Sequence, residues 1–295
     1  MKKEDIAGLI VYLIIIAVAI VFGLTVLQTH NAESSFSGFF YVLYIIVSVV
    51  LGAVLNAILF EVAHIVGAKI GKYNIISVNI LGLCFFKEEG KRKVRFTSYD
   101  GLTGETKIVP KEGMVDKANP IPYLFFGSLF FILEAVVVMV IFSIFRNSEE
   151  PLLKDLAYSV LTIGAIGLVI LIYNILPMHI DSMTDGYRLT MVSNPKNKAA
   201  FNELLRVEYE MAQGNDVEIK IFDEITNFTA DLNLNKVYAL LDKKQYDEAE
   251  VILDKIIAAK EEVSEKVYIR SRAQKIYINL TLYHLSHQGS PSRYL

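Results

Sequence analysis

Four long apolar runs limit what this chain can fold into more than any other feature of its sequence. A helix needs about 20 predominantly apolar residues to cross the roughly 30 Å hydrocarbon core of a bilayer. Residues 6–27, 39–60 and 156–177 carry no charged side chain, and residues 121–145 carry only Glu134. Helices inside soluble domains rarely run this long without a polar face. The sequence therefore predicts an all-α polytopic membrane protein in which these four runs are transmembrane helices.

Lysine and arginine are unevenly spread between the runs. The segment between the second and third runs carries ten of them, whereas residues 28–38 carry none. Positive residues concentrate on the cytoplasmic side, so both chain ends are expected inside. Compact loops and a single cysteine, Cys84, suit a bacterial cell membrane and exclude an intrachain disulfide or a cysteine-based zinc cluster. The net charge of −3 predicts no nucleic-acid partner.

The segment at residues 73–110 is predicted to form a small sheet at the inner membrane face. Turn residues separate short stretches of high β-propensity. These stretches are residues 75–80, 83–86, 94–97 and 106–109. An irregular loop is the alternative interpretation.

The composition changes after residue 195, which predicts a membrane domain at 1–195 and a cytoplasmic helical domain at 196–295. Within the latter, two amphipathic helices flank a tight turn at Lys243-Lys244. The second helix has one apolar face, at steps of three and four residues: Tyr246, Ala249, Leu253 and Ile256. This spacing resembles the second half of a tetratricopeptide repeat and predicts a protein partner, with a generic helical tail as the alternative.

The stretch FEVAH, residues 60–64, lies at the end of the second run. In the zinc-protease motif HExxH, two histidines four residues apart bind the metal and the glutamate acts as general base. Phe60 stands at the first histidine position, and a phenyl ring cannot coordinate a metal. Glu61 and His64 remain, and ionisable groups at membrane depth indicate a functional site. The alternative is that both side chains reach towards water at the inner face.

A second polar stretch, NILPMHIDSMTDG, ends the fourth run. Pro177 breaks the helix there, and a carboxylate from this break could complete a metal site with His64. The candidate side chains are Asn174, His179, Asp181 and Asp185. The alternative is a helix exit with ordinary turn residues.

Together the two stretches resemble the site-2 protease family of intramembrane zinc metalloproteases, over roughly residues 39–189. In that family HExxH in one helix pairs with an NxxPxxxLDG-like segment in a later helix, whose aspartate is the third zinc ligand. The chain departs from the pattern at Phe60 and in spacing, because Asp185 follows Pro177 by eight residues, more than the pattern has. The resemblance implies the following roles: His64 and Asp185 as zinc ligands aided by His179 or Asp181, Glu61 as general base, and Asn174 or Asn56 holding the substrate.

Three functions remain open on the sequence. The first is an intramembrane metalloprotease that cleaves membrane-embedded or membrane-near segments of a transmembrane protein. The second is a pseudoprotease that binds membrane-protein partners without cutting them, in which case Phe60 fills the metal's space. The third is a membrane-anchored helical-repeat scaffold, for which Glu61, His64 and Asp185 are not expected to meet.

Overall fold

The computed structural model describes residues 3–88, 90–99, 103–178, 183–215 and 217–288, except for the side chains of 3–9, 11, 12 and 285–288. It is mostly helical and divides into two compact units, residues 1–190 and 191–295. The elements up to the last apolar helix are α1 Lys3–Phe22, a π-helical turn Gly23–Leu27, α2 Gln28–Glu33, α3 Phe39–Ile70, β1 Tyr73–Ile80, β2 Leu83–Glu88, β3 Lys91–Phe96, β4 Gly104–Pro110, α4 Pro120–Phe145 and α5 Pro151–Ile175. The remaining elements are α6 Asp185–Ser193, α7 Pro195–Ala212, α8 Asn227–Asp242, α9 Tyr246–Ala258, a 3₁₀ turn Lys260–Glu262 and α10 Glu265–Gln288.

Four helical stretches are long and apolar enough to cross a membrane: Leu13–Glu33, Phe39–Ile70, Pro120–Phe145 and Pro151–Ile175. The prediction of four such helices is confirmed. The second extends ten residues beyond the predicted boundary at residue 60, because its polar side chains turn into the protein. Glu61 and His64 are buried, whereas Val62, Val66 and Ile70 stay exposed on the outer face. At 1.5 Å per residue, the 32 residues of α3 extend about 48 Å.

Small residues let the three central helices α3, α4 and α5 pack closely. Gly67 of α3 lies against the backbone of Pro122 and Tyr123, where an added Cβ would overlap main-chain atoms. Gly164 of α5 lies in the same way against the side chain of Val138. Helices that associate in lipid commonly place small residues at such contacts.

A polar cluster joins α2 to α5. The imidazole of His30 and the carboxylate of Asp155 are both buried, and His30 Nε2 lies 2.7 Å from Asp155 Oδ1. Ser34 Oγ donates to the same carboxylate oxygen at 2.7 Å, and Ser35 Oγ donates to the other. The ring of Tyr158 stacks on His30 with centroids 4.1 Å apart. The cluster therefore ties the C-terminal end of the first long helical stretch to α5.

The predicted small antiparallel sheet is confirmed. Its four strands lie in the order β3-β2-β1-β4. A two-residue turn at Leu81-Gly82, both with positive φ, joins β1 to β2, which is the backbone that tight hairpins of this type require. Asn79 Oδ1 accepts a hydrogen bond from the Gly82 amide at 2.9 Å and stabilises that turn.

The second unit contains an antiparallel helix pair, α8 and α9, followed by α10. Lys244 adopts a positive φ of 60° in the turn between α8 and α9, at the position where the sequence lacks the usual glycine. Leu253 and Ile256 are fully buried in the core of this unit, together with Leu234 and Val237 of α8. The tetratricopeptide-like assignment stays a prediction.

Candidate functional site

The structure brings the two polar stretches of the sequence together. Glu61 and His64 lie on one side of α3, and Asp185 is the first residue of α6. All three are buried; Glu61 is only 1% exposed. His64 Nε2 lies 2.9 Å from Asp185 Oδ2, and His64 Nδ1 lies 4.0 Å from Glu61 Oε2. The imidazole is therefore held between two carboxylates that are 124 residues apart in the chain.

Contacts between the end of α5 and the residues just before α6 position Asp185. Leu176 is extended and ends the helix before Pro177, because a residue that precedes proline disfavours the helical conformation. Thr184 then closes the loop: its hydroxyl donates to the Leu176 carbonyl at 2.5 Å and accepts from the Met178 amide at 3.1 Å. The neighbouring Gly186 packs so tightly against the Ile175 carbonyl that a side chain would not fit there.

His179 and Asp181, the other two predicted ligands, lie outside the described residues. Their predicted roles stay predictions.

The sheet supplies a partner for Glu61 that the sequence did not indicate. Thr106 Oγ1 on β4 donates a hydrogen bond to Glu61 Oε2 at 2.6 Å. The Thr106 carbonyl in turn accepts from Tyr123 Oη of α4 at 2.8 Å. A Cβ on Gly104 would lie 3.1 Å from Glu61 Oε1, so β4 runs close beside the carboxylate. The sequence predicts Thr106 only as a strand residue, because neither its type nor its spacing indicates a contact with a helix residue 45 positions away.

Phe60 fills the space beside His64. Its ring is buried and meets the imidazole edge to face, with centroids 4.3 Å apart and an interplanar angle of 82°. It stacks on Phe131 of α4 at 5.5 Å. Gly127, also on α4, has no side chain at the point where the Phe60 ring approaches, and a Cβ there would overlap ring atoms. The phenyl group is thus packed into the volume that the first metal ligand of the motif would occupy.

The described residues do not fit a zinc centre. Within the described part of the chain, no group of three or more His, Cys, Asp or Glu side chains is arranged to hold a metal ion. Zinc sites that catalyse hydrolysis commonly use three protein ligands, including one or more imidazoles. Here a single imidazole is present, its Nε2 already faces Asp185, and its buried Nδ1 has no hydrogen-bond partner among the described residues.

The two predicted substrate-binding asparagines are tied to helix backbones. Asn56 Nδ2 donates to the carbonyls of Gly52 and Ile163, at 2.8 and 2.9 Å. Asn174 Nδ2 donates to the Ile170 carbonyl at 3.0 Å. The Asn56 Oδ1 atom is buried without a hydrogen-bond partner in the described structure. Both amides therefore join or brace helices, and their predicted role in holding a substrate stays a prediction.

The arrangement is a buried polar cluster of one imidazole, two carboxylates and a hydroxyl, with an apolar wall formed by Phe60 and Phe131. It links α3, β4 and α6. No family model, no curated protein and no solved structure matches the chain.

Proposed function

We propose that this chain is a membrane protein with a site-2-protease-like arrangement that binds a membrane-embedded or membrane-near segment of another protein without cutting it. The observation that carries the proposal is the packing of Phe60. Its ring stacks on Phe131, meets His64 edge to face and fills the volume beside it. A catalytic centre of the zinc-protease kind requires a second imidazole at this position.

The convergence of Glu61, His64 and Asp185 supports a protease-like ancestry over a plain helical scaffold. Ionisable groups at membrane depth are costly and are found where function requires them. A scaffold gives no reason for two carboxylates and an imidazole to meet inside the protein. The order of elements agrees as well, since a motif helix, a sheet, a spacer helix and an Asn-Pro-Asp-Gly segment follow one another.

The membrane placement and the partners belong to the same proposal. The four apolar helices and the ten basic residues between the second and third of them support a bilayer location with both chain ends cytoplasmic. The helical unit at residues 191–295 is proposed to contact a second, soluble protein. An active zinc protease, which would need a ligand in addition to those described, is the competing function.

Metal content separates the two functions. The chain is purified in mild detergent, supplied with zinc, washed and analysed beside the variants H64A and D185A. The proposal expects the same background zinc in all three samples. About one zinc per chain in the unaltered protein, lost in both variants, would overturn it and establish a rebuilt metal centre.

Trapping of a partner gives a second, independent test. A photo-crosslinking side chain is placed at Val62, which is exposed next to Glu61, in the unaltered chain and in E61Q. A binding protein captures the same amount of full-length partner in both forms. A protease instead leaves a shortened partner with the unaltered chain and accumulates the intact one on E61Q. A crosslinker at Val47, exposed on the same helix but far from the site, is the matched control.

A further inference from the structure

The register of the sheet gives it two chemically different faces. Residues directly opposite in neighbouring strands project their side chains to the same face, and successive residues alternate between faces. One row of opposed residues is Thr106, Val78, Phe85 and Val94, and the next row on the same face is Gly104, Ile80, Leu83 and Phe96. We call this the apolar face.

The apolar face looks towards the helices. At its β4 edge, Thr106 donates its hydroxyl hydrogen bond to Glu61 of α3, and Gly104 lies beside the same carboxylate. The sheet also follows α3 closely, because β1 begins at Tyr73, three residues after α3 ends at Ile70. The apolar face thus contacts the helix bundle at the β4 edge of the sheet. The same face continues across β1 and β2 to the β3 edge, which lies farther from α3.

At that other edge the apolar face is uncovered. Leu83 is 38% exposed, Phe85 44%, Val94 57% and Phe96 82%. Four large apolar side chains on one hairpin, beside each other and open, form the kind of patch that marks a protein or membrane contact.

The opposite face of the same strands is mixed, since it carries Phe86 and the buried Cys84 between polar residues. Its rows end in charged side chains, namely Lys93 and Arg95 on β3 and Glu105 and Lys107 on β4. Arg95 lies over the Phe86 ring at 4.6 Å and covers it. On the hairpin of β2 and β3, the four exposed apolar side chains are therefore all on one face, and Lys93 and Arg95 are on the other.

Basic side chains border the apolar face at the tip of the hairpin. Lys87 and Arg92 are directly opposite each other and belong to this face. Like charges in such a pair destabilise a sheet, and none of the described acidic side chains pairs with either. An anion between the two would remove the repulsion. Exposed apolar side chains combined with a basic border are typical of segments that lie on a membrane with anionic lipids.

We propose that the hairpin of β2 and β3 docks its apolar face on the anionic headgroup surface of the bilayer around the bundle. Leu83, Phe85, Val94 and Phe96 then lie at the boundary of the acyl chains, and Lys87 and Arg92 bind lipid phosphates. This inference rests on the membrane placement proposed above and is independent of whether the chain cuts its partner.

The chain contains no tryptophan, so a single introduced one reports its own surroundings. Three single variants of the full chain are placed in lipid nanodiscs: F96W on the apolar face, F86W on the opposite face of the same hairpin, and F40W on the exposed side of α3. Each is measured in phosphatidylcholine, in a mixture with phosphatidylglycerol, and with brominated acyl chains as quencher. Phe96 and Phe40 are both largely exposed, so tryptophan fits there without repacking.

We expect the emission of F96W to shift to shorter wavelength in the anionic mixture and to be lost with brominated lipid, while F86W stays unquenched. Adding K87Q and R92Q to F96W should abolish the difference between anionic and neutral lipid. Quenching of F40W without quenching of F96W would overturn the docking and leave the membrane placement intact. Short-wavelength emission of F96W that brominated lipid does not quench would overturn it in favour of a protein partner. An unquenched F40W would overturn the membrane placement and this inference with it.

Discussion

Replacing Thr106 by valine isolates the hydrogen bond through which the sheet contacts the buried carboxylate of Glu61. Valine has the shape of threonine, so the change exchanges the hydroxyl for a methyl group and leaves packing almost unaltered. The lost bond is 2.6 Å long and both partners are almost fully buried, so water cannot replace it. Leaving a buried acceptor without its donor costs about 1–3 kcal/mol of stability.

For a unit of the size of residues 1–190, each kcal/mol lowers the unfolding temperature by about 2–4 °C. T106V should therefore unfold about 2–12 °C below the unaltered chain, as measured by thermal unfolding in detergent. T25V is the matched control, because the Thr25 hydroxyl is exposed and, within the described part of the chain, bonds only to the Val21 carbonyl four residues earlier. It should leave the unfolding temperature nearly unchanged.

A double-mutant cycle decides whether the effect belongs to this pair. E61M, T106V and the double variant are compared, since methionine has nearly the length of glutamate but no strong acceptor for the Thr106 hydroxyl, and the coupling energy should equal most of the T106V effect. A T106V chain that unfolds at the unaltered temperature, or a coupling energy near zero, would refute the reasoning. The sheet would then be held to the bundle by apolar packing rather than by this bond.

Three further predictions concern other parts of the chain. F60H restores two imidazoles at positions i and i+4 and should bind zinc in the metal-content assay; the absence of zinc would mean that more than Phe60 excludes the metal. D155A leaves His30 buried without its hydrogen-bond partner and should cost about 1–3 kcal/mol, seen as a lower unfolding temperature and faster proteolysis between α2 and α3; unchanged proteolysis would show that this contact does not hold α2 against α5. L253A opens a cavity in the fully buried core of the second unit and should cost about 2–5 kcal/mol, measured by hydrogen exchange in α8–α10, whereas V251A on the exposed side of the same helix should have little effect.

The membrane-length helices were predictable because one physical requirement, the thickness of the bilayer, sets their length and composition. The strands were predictable because turn residues separate runs of high β-propensity. The end of α3 was not predicted. The predicted transmembrane run stops at residue 60, because Glu61 is the first charged residue after it. In the structure the polar side chains turn into the protein while Val62, Val66 and Ile70 continue the exposed apolar face.

Only those residues of the candidate site that belong to a sequence motif could be predicted. FEVAH and the Asp185-Gly186 pair resemble the two motifs of one protease family. That resemblance predicts that they meet, although more than a hundred residues separate them. The role of Thr106 could not be foreseen, because it depends on where the sheet lies against α3. The pairing of His30 with Asp155 was missed for the same reason, since neither residue belongs to a motif and only the packed structure places them 2.7 Å apart.

The unbroken length of α3 has a mechanical consequence. The helix contains no proline between Phe39 and Ile70, and proline is the commonest cause of a sharp bend. We therefore expect the axis of α3 to have no sharp proline bend. One end follows the loop after α2, and the other leads through Gly71 and Lys72 directly into the sheet. We expect a tilt imposed at one end of this helix to move β1, and with it the sheet, at the other end.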